Sequence, residues 1–286
     1  MMDKLSFLQE DLQCLRRSHP LVHCITNQVA MDWTANLLLA AGASPIMSSV
    51  LQEVTDLSRS AESLVINIGT IDDSQLQTML AAGSVYQQQH RPIVLDPVGI
   101  GSSRYREQSV QQLLSQWTPT IIRGNASEIA VLAGDGGECT MHNAKCRVDG
   151  RGVDSTIDSS TVVAAAERKA KEIGCVIAIS GATDYITDGL HTEQVHGGSP
   201  LMKYVTAMGC GESALMAAMA AVQPDAMRAA VSTFTLMGLC GEKAAEIAQG
   251  PGSFRQNFLD QIYAIGNENE NHNENHNENE NENENI

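Results

Sequence analysis

Residues 64–97 read LVINIGTIDDSQLQTMLAAGSVYQQQHRPIVLDP. Leu64–Ile68 is an apolar run that stops at Gly69-Thr70, Asp73–Gln89 favours helix, and Pro92–Leu95 is a second apolar run that stops at Asp96-Pro97. A short apolar strand, a helix and another apolar strand make a βαβ unit. Strands that are apolar on both faces belong to a parallel sheet covered by helices on each side.

The same alternation extends in both directions. Toward the N-terminus, residues 3–18 carry Leu5, Leu8, Leu12 and Leu15 at helical spacing and end before Pro20. Leu21–Thr26 reads as a strand, Asn27 as the start of a helix ending at Gly42, Ser44–Ser48 as a strand and residues 50–61 as a helix. Toward the C-terminus, helices are expected over Glu107–Gln116, Asn125–Ala133 and Ala164–Ile173, with strands at Thr120–Ile122 and Cys175–Ser180. Tyr185–Thr187 and Thr192–His196, joined through Asp188-Gly189, predict an antiparallel hairpin at one sheet edge. Helices near 224–248 and 253–265 complete the pattern. The fold class is α/β, with a mostly parallel central sheet and helices on both faces.

Two segments stand outside this pattern. Residues 134–151 are polar and glycine-rich, and their Cys139, His142 and Cys146 are read as part of a surface insertion rather than a metal site. Residues 267–286 alternate Asn and Glu, with His272 and His276, and have almost nothing to bury. Such a tail is expected to be disordered, leaving 1–266 as one domain.

The formal charge is −16, and seven of the acids lie in that tail, so the body carries about −9. This argues against general nucleic-acid binding, but not against one bound nucleotide. Seven irregularly spaced cysteines, no signal-peptide pattern and no membrane-length apolar run point to a reduced, cytoplasmic protein.

Ligands of open α/β sheets bind beyond the C-terminal strand ends. Those ends carry Asn27, Met47, Gly69-Thr70, Asp96, Arg123-Gly124-Asn125, Ser180-Gly181 and the turn before Cys210. Asp96 suits Mg²⁺, which takes one or two carboxylates together with phosphate oxygens and water. Asn125 and Glu128 have capping-box spacing, and Glu128 is also a candidate for the same Mg²⁺ through water. Arg123 can offer a fork of donors to phosphate. Val205–Val222, VTAMGCGESALMAAMAAV, ends an extended run, turns at Gly209-Cys210-Gly211 and continues as a helix. Free N–H groups at such a helix start attract anions, and a cysteine there is expected to have a lowered pKa. Neither a GxxxxGK[ST] loop nor a GxGxxG fingerprint is present.

The blocks PLVHCITN (20–27), ASPIM (43–47), INIGT (66–70), LDPVG (95–99), RGNASEI (123–129), GVDS (152–155), YITDG (185–189) and the Gly209-Cys210 turn together resemble the hydroxyethylthiazole kinase family of thiamine salvage. The resemblance covers about residues 20–260 and implies a ribokinase-like fold. It further implies transfer of the ATP γ-phosphate to the alcohol of 4-methyl-5-(2-hydroxyethyl)thiazole with Mg²⁺, in a homotrimer whose sites lie at subunit contacts. On this resemblance Met47 contacts the thiazole, with Asn27 and Gly69 nearby, and Ala207 takes a substrate-contacting place that is usually Gly. Arg123 and Ser180 match ATP-binding positions, Ser180 standing where Thr is usual, and Gly209 belongs to the phosphate-side turn. Cys210 occupies the place of an Asp base in related kinases, where either a thiolate of lowered pKa would take the alcohol proton or the side chain would only orient the hydroxyl, with proton loss late in the transfer.

The turn departs from the family's usual Gly-Thr-Gly-Cys, having Ala207-Met208 ahead of Gly209-Cys210. The change adds a methyl, removes a hydroxyl, and strains the backbone if Ala207 needs a positive φ. Two other functions stay open on the residues: a ribokinase-like kinase for another small alcohol such as a hydroxymethylpyrimidine, and a weakly active nucleotide- or thiazole-binding protein.

Overall fold

The computed structural model describes residues 4–134 and 158–267. The expectations for Cys139, His142 and Cys146, the GVDS block, and the tail with His272 and His276 lie outside the described residues.

Eight strands form one sheet: β1 (Leu21–Ile25), β2 (Ser44–Met47), β3 (Ser63–Asn67), β4 (Ile93–Asp96), β5 (Ile121–Asn125), β6 (Val176–Ser180), β7 (Thr183–Thr187) and β8 (Thr192–His196). Their spatial order is β2-β1-β3-β4-β5-β6-β7-β8. All neighbours pair in parallel except β6–β7 and β7–β8, which make the expected antiparallel edge. The chain moves from β1 to one side for β2 and returns to the other side for β3. That reversal opens a crevice beyond the C-terminal ends of β1 and β3.

The strands bury side chains on both faces, as their unbroken apolar runs predict. Val65, Val94 and Ala178 pack with α1 (Lys4–Ser18), α2 (Met31–Ala41), α8 (Met208–Val222), α9 (Ala226–Ile247) and α10 (Pro251–Asn267). Their strand neighbours Ile66, Leu95 and Ile177 face the other way. There they meet α3 (Val54–Ser60), α4 (Asp73–Gln88), α5 (Arg104–Gln116), α6 (Ala126–Leu132) and α7 (Val163–Ile173).

Most boundaries fall within a few residues of expectation; one element differs in kind. Asn27 does not open α2, which begins at Met31. Its side-chain Oδ1 accepts from the Ala30 N–H at 3.0 Å and closes a turn ahead of the helix. This frees Asn27 to sit at the crevice rather than at a helix cap. Gly42 ends α2 in the left-handed region, as expected. The stretch at 50–61 splits into a short 3-10 turn, Leu51–Glu53, and α3.

Candidate active site

The parallel register brings the chemistry together. Asn67 and Asp96 are the last residues of β3 and β4 and stand opposite each other in the ladder. Asn67 Nδ2 donates to Asp96 Oδ2 at 2.8 Å. Its Oδ1 accepts from Asn27 Nδ2 at 2.9 Å and from the Gly69 N–H at 3.0 Å. Asn27 Nδ2 also reaches Cys210 Sγ at 3.2 Å. One turn along α8, Ser213 Oγ donates to Asp96 Oδ2 at 2.7 Å. Cys210, Asn27, Asn67, Gly69, Asp96 and Ser213 are thus one connected polar network in the crevice between β1 and β3.

Gly69 has a steric reason to be glycine, because a Cβ there would lie within 2.8–2.9 Å of the Asn27 side chain. Met47 is not part of this network. It ends the edge strand β2 beside Cys24 of β1 and is partly buried against the core.

Asp96 is fully buried, and its Oδ1 has no hydrogen-bond partner. Burial, and secondarily the charge of Glu128, push its carboxyl up to about 7 despite the Arg123 guanidinium. Glu128 is also raised by burial. Asn125 and Glu128 do form the predicted capping box on α6. Glu128 then does a second job: one oxygen takes the Asn125 N–H at 2.8 Å and the other the Gly99 N–H at 2.8 Å, tying the loop after β4 to α6. An unpartnered buried carboxylate oxygen with a second carboxylate close by suits a divalent cation. Among the described residues no cluster of three or more His, Cys, Asp or Glu forms a closed metal cage.

The start of α8 lies beside this network. Ala207 caps the helix with φ 64° and ψ 12°, so the strain foreseen for a non-glycine residue at this turn is present. The first helical bond runs from the Gly211 N–H to the Ala207 carbonyl at 2.9 Å, so the N–H groups of Met208, Gly209 and Cys210 precede the helical ladder. Arg123, at 9% exposure, closes the site from β5. A Cβ on Gly209 would lie 2.5 Å from its Nη1, so glycine lets the guanidinium approach the turn. Arg123 Nη2 donates to Ser180 Oγ at 2.7 Å and pairs with Glu212 Oε2 at 2.5 Å. Burial opposes the Arg123 charge, but Glu212, Asp96 and Glu128 more than offset it and raise its pKa.

The expected lowering of the Cys210 pKa is corrected here. Burial dominates, the Asp96 charge adds to it, and together they push the thiol up to about 12 despite hydrogen bonds from Asn27 and Asn67 and the Arg123 charge. With its pKa raised in this way, Cys210 is a neutral thiol at neutral pH.

The sequence alone does not single out Asn67, Ser213, Glu212, Asp184 or Arg106. Arg106 donates to the Ile68, Gly69 and Val98 carbonyls at 3.0, 2.6 and 2.5 Å, pinning the loops after β3 and β4 together. Asp184 accepts the Gly181 N–H at 2.9 Å. Its carboxyl is pushed up to about 8 by burial and then by Glu212. A polar residue closing an apolar strand, as Asn67 does, and an acid inside an apolar helix, as Glu212 is, were the available signals.

Known proteins share the sequence and the fold of this chain. The profile of the hydroxyethylthiazole kinase family matches residues 12–268. A hydroxyethylthiazole kinase of Granulibacter bethesdensis is 46% identical over 254 residues, 89% of this chain and 88% of that protein. One from Leptospira interrogans is 43% identical over 260 residues, 91% of this chain and 93% of that protein. The solved hydroxyethylthiazole kinase protein of Pyrococcus horikoshii superposes with a TM-score of 0.80 at 35% identity, covering 90% of this chain and 93% of that one. A ribokinase-like superfamily protein of Enterococcus faecalis shares the fold, with a TM-score of 0.61 at 14% identity, covering 92% and 95%.

Proposed function

The chain belongs to the hydroxyethylthiazole kinase family and is a phosphotransferase with an alcohol acceptor; from this premise we propose how its site works. The donor is ATP, and the acceptor is the hydroxyl of 4-methyl-5-(2-hydroxyethyl)thiazole, in thiamine salvage. The observation that carries the reading is the convergence of Asn27, Gly69 and Cys210 with Asp96, Glu128 and Arg123 in one crevice beside the start of α8.

The thiazole lies toward Met47, Asn27, Gly69 and Ala207. The triphosphate lies toward Arg123, Ser180, Gly209 and the N–H groups of Met208, Gly209 and Cys210. Asp96 through Oδ1, and Glu128 through water, would hold Mg²⁺, which supplies neutralising charge at the donor phosphates. Phosphoryl transfer is mostly positioning and charge stabilisation. The protein's contribution is therefore to align the alcohol with the donor and to place N–H groups where negative charge grows. Cys210, held as a thiol, orients the hydroxyl as a hydrogen-bond acceptor. The alcohol proton stays until late and passes to an oxygen of the phosphoryl group.

We further propose that residues 1–266 act as one catalytic domain in a cytoplasmic homotrimer with sites at subunit contacts. Val29, Met31, Val50 and Leu51 support this assembly, since they are apolar, exposed and follow Asn27 and Met47 in the chain. No helix among the described residues is long and apolar enough to cross a membrane.

The test is ADP release from ATP and Mg²⁺ with three acceptors side by side: the thiazole alcohol, a hydroxymethylpyrimidine and a pentose. Thiazole-dependent release well above the others is expected. A preference for the pyrimidine or the sugar overturns the substrate assignment, and binding without turnover marks a weak binding protein.

A further inference from the structure

Glu212 is out of place by its composition. It is the only acid in α8, MGCGESALMAAMAAV, and it stands two residues after Cys210, just past the first turn whose N–H groups attract anions. A carboxylate there, 6% exposed, would repel the phosphates the turn is built to receive. It persists because it is paired, with Oε2 lying 2.5 Å from Arg123 Nη2.

Arg123 explains the pairing. Its Nη2 is taken by Glu212 and Ser180, whereas its Nε is buried without a partner and its Nη1 lies against Gly209. The guanidinium therefore has one edge tied back and another facing the turn. A buried Arg with no counter-charge is strongly destabilising, and breaking a buried pair from one side exposes that cost. Glu212 supplies the direct ion pair to this cation, with the charges of Asp96 and Glu128 behind it.

We propose that Glu212 stands in for a nucleotide phosphate on Arg123 when the site is empty, and thereby sets how tightly the nucleotide is held. The proposal rests on the nucleotide-side role of Arg123. Glu212 acts through Arg123 as a positioning residue, and its negative charge also opposes the incoming phosphates. The chain keeps a folded, pre-aimed Arg123 at the cost of weaker nucleotide binding. Without that charge, Arg123 loses its direct ion pair and keeps only the more distant charges of Asp96 and Glu128, so a nucleotide phosphate supplies more of its counter-charge.

The test uses the full chain, with Mg-ADP as the probe, read by calorimetric titration and by melting with and without ADP. Glu212→Gln keeps an acceptor oxygen for Arg123 but removes the charge. It should melt lower than wild type without ADP, gain more in melting temperature when ADP is added, and bind ADP about fivefold or more tightly. Glu212→Asp keeps the charge but draws it back, and should fall between the two, which maintains the test if the Gln variant does not fold. A purely structural role would lower the melting temperature without enlarging the ADP-dependent gain. Folded variants that bind ADP no more tightly than wild type overturn the role of Glu212 alone. A wild-type chain that binds no ADP overturns the nucleotide role of Arg123, and this inference falls with it.

Discussion

Asn67 donates to Asp96 at 2.8 Å, and the same side chain accepts from Asn27 and Gly69. One buried amide thus joins the residue proposed to hold the cation to those proposed to hold the alcohol. Asn67 and Ser213 both donate to Oδ2 of Asp96, and Oδ1 is left unpartnered. Removing the amide strands buried polar groups on both sides, at about 1–3 kcal/mol. Asn67→Ala should therefore lower the melting temperature and reduce kcat more than it raises KM for the thiazole. A variant with normal kcat and only a raised KM would show that the bridge serves binding alone.

Cys210 is held as a thiol by burial and by Asp96. A general base contributes about 10²–10⁴ in rate, whereas an orienting group contributes less. Cys210→Ser should therefore cost about tenfold or less in kcat. In the resting enzyme, iodoacetamide should label Cys210 far more slowly than free cysteine, and Asp96→Asn should speed the labelling by removing a negative charge. Rapid labelling of the wild type at neutral pH would contradict this assignment.

Ala207 adopts a left-handed conformation that costs a non-glycine residue roughly 1–2 kcal/mol. Glycine gives back about 0.5–1 kcal/mol through the freedom of the unfolded chain. Ala207→Gly should raise the melting temperature by about 1–3 °C and increase kcat by relaxing the turn that receives the phosphoryl group. A lower melting temperature would mean that the methyl's packing outweighs the strain.

The raised carboxyl of Asp184 makes a pH prediction. Its folded pKa of about 8 lies above the ordinary carboxylate value, so the native chain binds one more proton than the unfolded chain between the two. Stability should fall as pH rises through that window. Asp184→Asn cannot ionise and should reduce the fall, as measured by urea unfolding at about pH 5 and about pH 8. Equal losses in both proteins would place the titration elsewhere.

The parts of the fold that were legible in the sequence are those set by local pattern. The runs LVINI and IVLD are apolar on both faces, so they read as parallel strands, and Asp96, Arg123 and Glu128 stood out because they follow such runs. What was hidden depends on register and burial. Asn67 acquires its partners only when β3 pairs with β4, and Glu212 acquires Arg123 only when α8 packs over the sheet. The Cys210 pKa likewise depends on contacts that only the fold creates. The helix start is visible locally, but the burial that outweighs it comes only with the fold, and Asp96, which adds to it, lies more than a hundred residues away.

The central claim is phosphoryl transfer from ATP to the thiazole alcohol, organised around Asp96. Phosphorus NMR of ATP, Mg²⁺ and 4-methyl-5-(2-hydroxyethyl)thiazole, with the wild type and with Asp96→Ala, tests it most directly. A phosphate monoester on the hydroxyethyl arm should accumulate with the wild type and form about a hundredfold or more slowly with the variant, the loss typical when a charge-stabilising group is removed. No monoester from the wild type, or equal rates from both proteins, would contradict the account.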